Sequence, residues 1–522
     1  MRTWRPHVYA WLLLAVVLVL SFGPASKAGP ARGTRLVVGF DTDPPSLDGH
    51  SNTNLASDQL FAHLYDRLVM FDMRSNIVPQ LATEWSVSSN GLTWTFKLRR
   101  NHKFHDGTPV NAAAVKASFE RLFDPRNNFS RRTLFEVIKR IDVVDEYTVA
   151  FSTEKPFGAM LNTMANPSAS IVSPTAAAKQ DVSTFGRSPV GSGPFFFREW
   201  IRGTRIVLSK NPAHWLASQS NITEIEYRPI PDDATRAIGL ETGELDFVTT
   251  IAPQEAKRLA NNPNLVVYNL PRSRIQGLYP NMTKKPWSEL KVRQAMAHAI
   301  DKRAIVDTFL AGFARVADSP LPPGVFPYKA QAARYDYDPE RAKRLLAEAG
   351  YPNGFSASMW VPIGTYAAAQ QISEAIADML RKVGINLKLE VMESGQWLVL
   401  LRSKGPREST LEMTYYGWGT QTGEADYALR LVFHSGNFAP DCCNRNFYSN
   451  AEVDALIDRA LGATGVAERR AAYERAQEIL WRDLPWIWIF TVNHSAVGNK
   501  ALTGVQALPV ELIHFREANI AR

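Results

Sequence analysis

Cysteine is almost missing from this chain. Among 522 residues only Cys442 and Cys443 carry thiols, and they are neighbours. That excludes a scaffold stapled by several disulfides and a cysteine-built zinc site, since both need spaced sulfurs. A vicinal disulfide, two free thiols or a mixed state all stay open, with the strained ring not the default. Neither cysteine stands where a lipidated N-terminal cysteine would. Long apolar runs are equally scarce. The one clear case is "VYAWLLLAVVLVLSF", preceded by Arg2, Arg5 and His7 and followed by Ser26–Lys27–Ala28. Basic start, short apolar run and small-residue exit form the pattern of a cleaved signal peptide over residues 1–28, the alternative being an uncleaved anchor. No later run is long enough to span a bilayer. The expectation is an exported, periplasmic protein with no lipid tether.

A strong charge of one sign is also missing. Lys and Arg total 59 against 51 Asp and Glu, and losing Arg2, Arg5 and Lys27 with the leader lowers the net charge from +8 to +5. The basic residues are spread out, so no nucleic-acid footprint is expected. The densest stretch, "LRRNHK" at 98–103, reads as a solvated turn. Catalytic signatures are absent too. "GSGPF" at 191–195 lacks the G-x-S-x-G spacing, and Ser192 has no evident His and acid partners. His102 and His105 are three apart on a strand-to-turn segment and would not share a face, so no metal pair is expected. No H-E-x-x-H and no phosphate-cradling glycine loop occurs. Neither a catalytic residue nor a metal or other cofactor is expected, and the reading is not an enzyme.

What is present is a regular alternation of strands and helices in a chain too long for one core. Residues 34–42 read as a first buried strand, and Leu60, Leu64 and Leu68 give 56–72 a helical spacing. Trp94, Phe96 and Leu98 alternate as in a half-buried strand. Helices are signalled after the caps Asn111, Asp301 and Asp338, the last with Pro339 at its start and Gly350 at its end. A strand at 356–363, a helix ending at Gly384 and a strand at 385–393 form a strand–helix–strand unit with parallel pairing. The segment "EMTYYGWGTQTGEADYALRLVF" (412–433) runs from a strand into a small, flexible loop and then a helical pattern. Ligands tend to sit at such places in open α/β sheets. Its acids, Glu424 and Asp426, could do acid–base work, although acids ahead of a helix more often cap it. Aromatic residues near strand ends, Trp360, Trp397 and Trp418, suit a cleft for an amphipathic solute. Trp486 and Trp488 read as core.

The stretches "LRRNHKFHDGTPVNAAAVKASFERL", "PVGSGPFFFREWIRGTRIVLSKNPAHW", "GLETGELDFV" and "VRQAMAHAIDKRAIVD" resemble the extracellular solute-binding proteins, family 5. "GYPNGF", "TGEADYAL" and "FYSNAEVDALI" look closest to its glutathione-binding branch. The resemblance runs from about Arg35 to the C-terminus. It implies an α/β, two-lobed periplasmic-binding-protein (type II) fold with a hinge and an extra subdomain on lobe I. Lobe I is placed at 29–275 with the subdomain at about 66–188, lobe II at 276–489, and 490–522 returns to lobe I. The crossings fall near Gln276–Asn281 and Phe490–His494. The implied partners are a peptide or peptide-like solute and the inner-membrane permease subunits of an ABC importer, with the receptor a monomer.

The resemblance also implies site residues. Thr53 and Asn54, in "SNTNLASDQ", are the lobe I candidates. The 412–433 wall offers Tyr416, Trp418, Gln421 and Thr422, and the surrounding aromatics are Tyr279, Trp360, Tyr366 and Trp397. In peptide receptors of the family an acid three positions after the Gly-Trp tryptophan pairs with the ligand amine; here that position is neutral Gln421. Dipeptide receptors place an arginine after a strand like "MWVPIGTY"; here Gly364 and Thr365 stand nearest. With both anchors gone a plain dipeptide zwitterion is disfavoured. Glu424 or Asp426 would hold an amine, and Arg402 or Arg430 a carboxylate. The alternatives are a receptor for a non-peptide solute, such as a metal chelate, an opine or an oligosaccharide, and a secreted hydrolase on the same scaffold. "FHDG" (104–107) reads as structural, and Cys442–Cys443 departs from the glutathione-like pattern.

Overall fold

The structure, a computed structural model, describes residues 35–51, 55–420, 422–508 and 510–521. The expected signal peptide lies outside them. Two long strands organise everything else. β1 (Arg35–Phe40) leads into α1 (Leu55–Leu64). A four-stranded antiparallel sheet follows, built from β2 (Ala82–Val87), β3 (Thr93–Leu98), β4 (Ile138–Asp145) and β5 (Thr148–Thr153), with α2 (Ala112–Phe123) packed on it. The chain then returns through β6 (Phe195–Ile201), β7 (Arg205–Lys210), β8 (Glu224–Pro229) and β9 (Phe247–Val248), and enters β10 (Leu265–Pro280). Beyond it come α3 (Lys302–Phe309), α4 (Pro339–Glu348), β11 (Phe355–Ile363), α5 (Ala369–Arg381), β12 (Ile385–Glu393), β13 (Met413–Gly419), α6 (Ala451–Gly462) and α7 (Val466–Asp483). The second long strand, β14 (Ile487–Asn499), closes the circuit.

The main sheet runs β12-β11-β13-β10-β14-β9-β1-β8-β7-β6. β1 is parallel to β8 and β9, and β11 is parallel to β12 and β13. Those parallel pairs are the two α/β halves, and antiparallel β10 and β14 connect them. Their ladder is broken between Pro271 and Ile275 and again between Gln276 and Gly277. Bulges of this kind bend a strand and re-aim its side chains. Burial follows the same division. One core holds β1, α1 and β8 residues such as Val38, Leu60 and Ile225, and a second fills the antiparallel sheet with Phe96, Phe119 and Phe151. A third extends from Ile275 to Phe490 and contains Trp486 and Trp488. The molecule is thus a two-lobed α/β protein with an extra subdomain on its first lobe.

Local signals set the helix starts. Asn111, Asp301 and Asp338 each accept a backbone N–H of their helix, and Pro339 follows the last of these caps. The expected helix over 56–72 is shorter, stopping at Leu64, so Leu68 is not part of it. Other segments claim the next carbonyls: Gly193 N–H donates to Leu64 O (3.0 Å) and Leu81 N–H to Arg67 O (2.9 Å). The helical pattern after Glu424 is also altered, with a π-helical turn at Asp426–Arg430 preceding one α-turn.

Candidate functional site

The break in the β10–β14 ladder frees residues 272–274 from β14, and Ser273 and Arg274 border a cavity of about 140 Å³ between the lobes. Ser273 and Arg274 form one side with Gly419 and Thr420, at the end of β13. Asp58 from α1, Arg131 and Asn166 of the first lobe form the other, and Glu511 in the C-terminal tail completes it. Each is held from outside. Thr420 N–H donates to Ser273 O (3.0 Å), and Ser273 Oγ donates to Thr420 O (2.7 Å). Gly419 lies opposite Arg274 in the ladder, and a Cβ there would be in ordinary contact with Arg274 Nη2, 3.4 Å away. The tail is sewn to α1: Gln59 Nε2 donates to Glu511 O (2.9 Å) and Ile513 N–H to Gln59 Oε1 (2.7 Å).

The charges are arranged unevenly. Arg131 Nη2 donates to Asp58 Oδ2 (2.6 Å), yet buried Asp58 Oδ1 has no hydrogen-bond partner among the described residues. Burial raises the Asp58 carboxyl above its ordinary range, against the pull of Arg131. Arg272 approaches Glu511 at 3.5 Å. Arg274 makes no ion pair among the described residues. Two guanidinium groups, Arg131 and Arg274, and two carboxylates, Asp58 and Glu511, therefore line the cavity, with Arg272 beside Glu511.

None of these five charged residues was a candidate from the sequence. Asp58 and Arg131 meet across 73 positions, and Arg272 and Arg274 look like ordinary strand residues until the bulge turns them. The one available hint was their unusual density beside a strand irregularity at Pro271. The charges beside the cavity thus come from elements other than the family positions held here by Gln421 and by Gly364 and Thr365.

The sequence candidates are placed as follows. Thr53, Asn54 and Gln421 lie outside the described residues. Thr422 is buried but does not line the cavity; its carbonyl accepts from Asn162 Nδ2 (3.2 Å), and its Oγ1 has no partner among the described residues. Glu424 and Asp426 are not free to hold an amine. Arg469 lies 2.7 Å from Glu424, and Arg430 grips Asp426 at 2.6 and 3.0 Å, which also removes Arg430 as a carboxylate anchor. Even with Arg469 beside it, burial pushes Glu424 up to about 7. Arg402 is exposed at the end of its helix and is not at the cavity. Tyr279 is fully buried and stacks on Tyr416 (4.7 Å), whose hydroxyl accepts from Arg445 (2.7 Å). Trp360 and Trp397 belong to the second lobe's core, joined through Thr414 Oγ1, which donates to Trp360 O and accepts from Trp397 Nε1. Tyr366 hydroxyl bridges the N–H and C=O of Gly417 at 2.9 Å each. Trp418 is half-buried, stacks on Tyr427 (5.7 Å) and donates to its carbonyl (3.0 Å). These aromatics support the wall more than they line it.

Ser192 does have acid and histidine neighbours, contrary to the sequence reading, but not in a nucleophile's geometry. Its Oγ donates to Asp66 (3.0 Å), while His102 contacts its carbonyl (3.1 Å) and all three are buried. A serine nucleophile needs the histidine on its hydroxyl. His102 meets His214 rather than His105, and both contact Asp66. Arg516 occupies the same carboxylate at 2.6 Å. Burial pushes Asp66 up, but His214, Arg516 and His102 outweigh it and hold it well below the usual range. This is a satisfied structural network. His105 and Asp106 are structural as well, bonded to Gly193 O and Ser173 Oγ.

The sequence profile of the bacterial extracellular solute-binding proteins, family 5, matches residues 76–440. The chain belongs to that family. It is 35% identical over 510 residues to the glutathione-binding protein GsiB of Pectobacterium atrosepticum, covering 98% of each chain. HbpA2 from Haemophilus parasuis shares the fold with a TM-score of 0.86 and 27% identity over 94% of this chain and 100% of its own. The periplasmic binding protein DppA from Helicobacter pylori, solved with the peptide STSA, gives 0.76 and 29% over 94% and 98%. As a member of a solute-binding family the protein is a receptor and not an enzyme. None of the helices among the described residues is long and apolar enough to cross a membrane.

Proposed function

We propose that this family-5 receptor works in the periplasm, takes an anionic peptide-like solute of the glutathione type into the cavity between its lobes, and hands it to an ABC permease. The observation that carries the reading is the pair of charges left unfinished among the described residues: Arg274 without a carboxylate partner, and Asp58 with a buried, unbonded Oδ1. Desolvated ions are costly unless paired. A ligand carboxylate on Arg274 and a ligand ammonium on Asp58 would complete both. Arg131 already shares Asp58 and Arg272 stands against Glu511, so Arg274 is the cation left for a solute carboxylate, such as a γ-glutamyl tripeptide carries. The likeness to a glutathione-binding protein supports this class, and the peptide complex of DppA supports the wider one.

Thermal unfolding against glutathione, short peptides, metal chelates, opines and sugars tests the proposal. A native-state ligand at 100 times its dissociation constant stabilises by about 2.7 kcal/mol. Glutathione or acidic peptides are expected to raise Tm, and Arg274→Ala to weaken their binding by roughly 10- to 100-fold, the scale of a charge-assisted hydrogen bond. A shift only with uncharged or chelated solutes, or one indifferent to Arg274→Ala, would overturn the peptide assignment.

A further inference from the structure

The two cysteines have no part in the cleft chemistry above, yet their setting is specific. They lie in the loop 437–444, whose backbone is closed on itself. Cys442 N–H donates to Phe438 O (3.1 Å), Cys443 and Asn444 N–H both donate to Asn437 O (3.0 and 2.8 Å), and Ala439 N–H donates to Asn444 O (3.2 Å). The frame holds the sulfurs side by side, with Cys442 Sγ and Cys443 Sγ in direct contact at 2.7 Å, both residues half-buried and so open to small reagents. Arg445, Arg402 and Arg430 all act on Cys443, and the first of them donates to Tyr416 in the lobe II wall.

We propose that Cys442 and Cys443 are a redox-active vicinal pair, in which Cys443 attacks a low-molecular-weight disulfide and Cys442 resolves the product. In the first step the Cys443 thiolate bonds to one sulfur of R–S–S–R and expels RS⁻. In the second, Cys442 loses its proton and attacks Cys443 Sγ, closing the vicinal disulfide and expelling the second RS⁻. The dithiol loses two electrons and two protons, and the small disulfide becomes two thiols.

The order of attack follows from the surroundings. The hydrogen bond between the sulfurs and then Arg445, Arg402 and Arg430 favour the Cys443 thiolate over its burial and hold this thiol below its usual range, whereas the same bond and burial raise Cys442 against Arg430 and Arg445. Switching follows from adjacency. Neighbouring Cα atoms are about 3.8 Å apart across a trans peptide, short of the roughly 4.4–6.8 Å that disulfides prefer. Strained disulfides are the reducible, labile ones. Oxidation would also remove the anion facing Arg445 and leave that charge to the Tyr416–Trp418 wall, which its guanidinium overlies at 5.7 and 5.9 Å.

The test is titration of the purified protein in bis(2-hydroxyethyl) disulfide and 2-mercaptoethanol, a couple with no charge or peptide group to occupy the cleft. The readouts are intact mass and free-thiol count. As the couple becomes more oxidising, both thiols should vanish together with the loss of two hydrogen atoms and no adduct, and mercaptoethanol should restore them. Cys442→Ser should trap one mercaptoethanol adduct on Cys443, at least tenfold faster than Cys443→Ser does on Cys442. Two stable adducts on the unmodified protein, or thiols that persist throughout, would overturn the proposal. Reversed rates would overturn the assigned roles. None of these results depends on which solute the receptor carries.

Discussion

At the scale of single residues the cleft is decided by what each charge is left to do. Asp58 and Arg131 are both buried, and each completes half of the other. Asp58→Ala strands the guanidinium, and breaking a buried pair from one side costs about 3–5 kcal/mol. The expected outcome is a lower urea midpoint with the m-value unchanged. Asp58→Asn keeps an acceptor for Arg131, so it should lose less stability while still weakening an ammonium-bearing ligand, which calorimetric titration would separate. These residues are illegible in the sequence because an ion pair spanning 73 positions leaves no periodic trace. Glu424 and Asp426 stand out in the sequence as neighbouring acids in a loop, but their partners Arg469 and Arg430 already use them.

The decisive elements are β10 and β14. They are long because they serve both lobes, and Gly277 is where they press closest. A Cβ on Gly277 would lie 2.1 Å from Ile487 O and 3.0 Å from Trp486 Nε1. No rotamer relieves a clash with a backbone oxygen, so Gly277→Ala must part the strands. Overpacking of this kind costs about 1–3 kcal/mol, and Tm should fall accordingly even without ligand. The caps at Asn111, Asp301 and Asp338 are readable in advance because capping is a contract among four adjacent residues. The end of α1 is not, because Gly193 and Leu81 take the carbonyls that would have continued it.

At the scale of the whole molecule the lobes are in contact. Gly158 N–H donates to Leu461 O (2.9 Å), and Arg469 Nη1 donates to Gly158 O (2.7 Å). A Cβ on Gly158 would meet Ala463 O at 2.0 Å. Since this contact joins the extra subdomain to the helices of the second lobe, Gly158→Val should hinder closure rather than folding. The expectation is an unchanged ligand-free Tm, at least tenfold weaker binding, and no ligand-induced contraction in small-angle scattering. Stability should also fall in mild acid. Burial lowers His50, His105 and His494 to about 4 and His63 to about 3, so the native state keeps them neutral. The unfolded chain takes up those protons below about pH 6.5, and stability present above that pH is lost toward pH 4. Near pH 5.5 each histidine costs about 1 kcal/mol. Glu424, raised to about 7, and Asp58, also raised by burial, act in the opposite direction, but they are two groups against those four histidines. Urea midpoints at pH 7.5 and 5.5 would show the difference.

The amino-acid sequence by itself determined the alternation of strands and helices, the capped helix starts and the membership of a solute-binding family, because those depend on neighbours a few positions apart or on motifs kept in order. Tertiary structure alone decided which charges face the cavity. Arg274 reaches it through a bulge, Asp58 through the seating of α1 under the tail, and Glu511 through the tail's return from the far end of the chain. Each of those placements is a long-range packing outcome, and electrostatic meaning comes only once packing has removed water and chosen the partners.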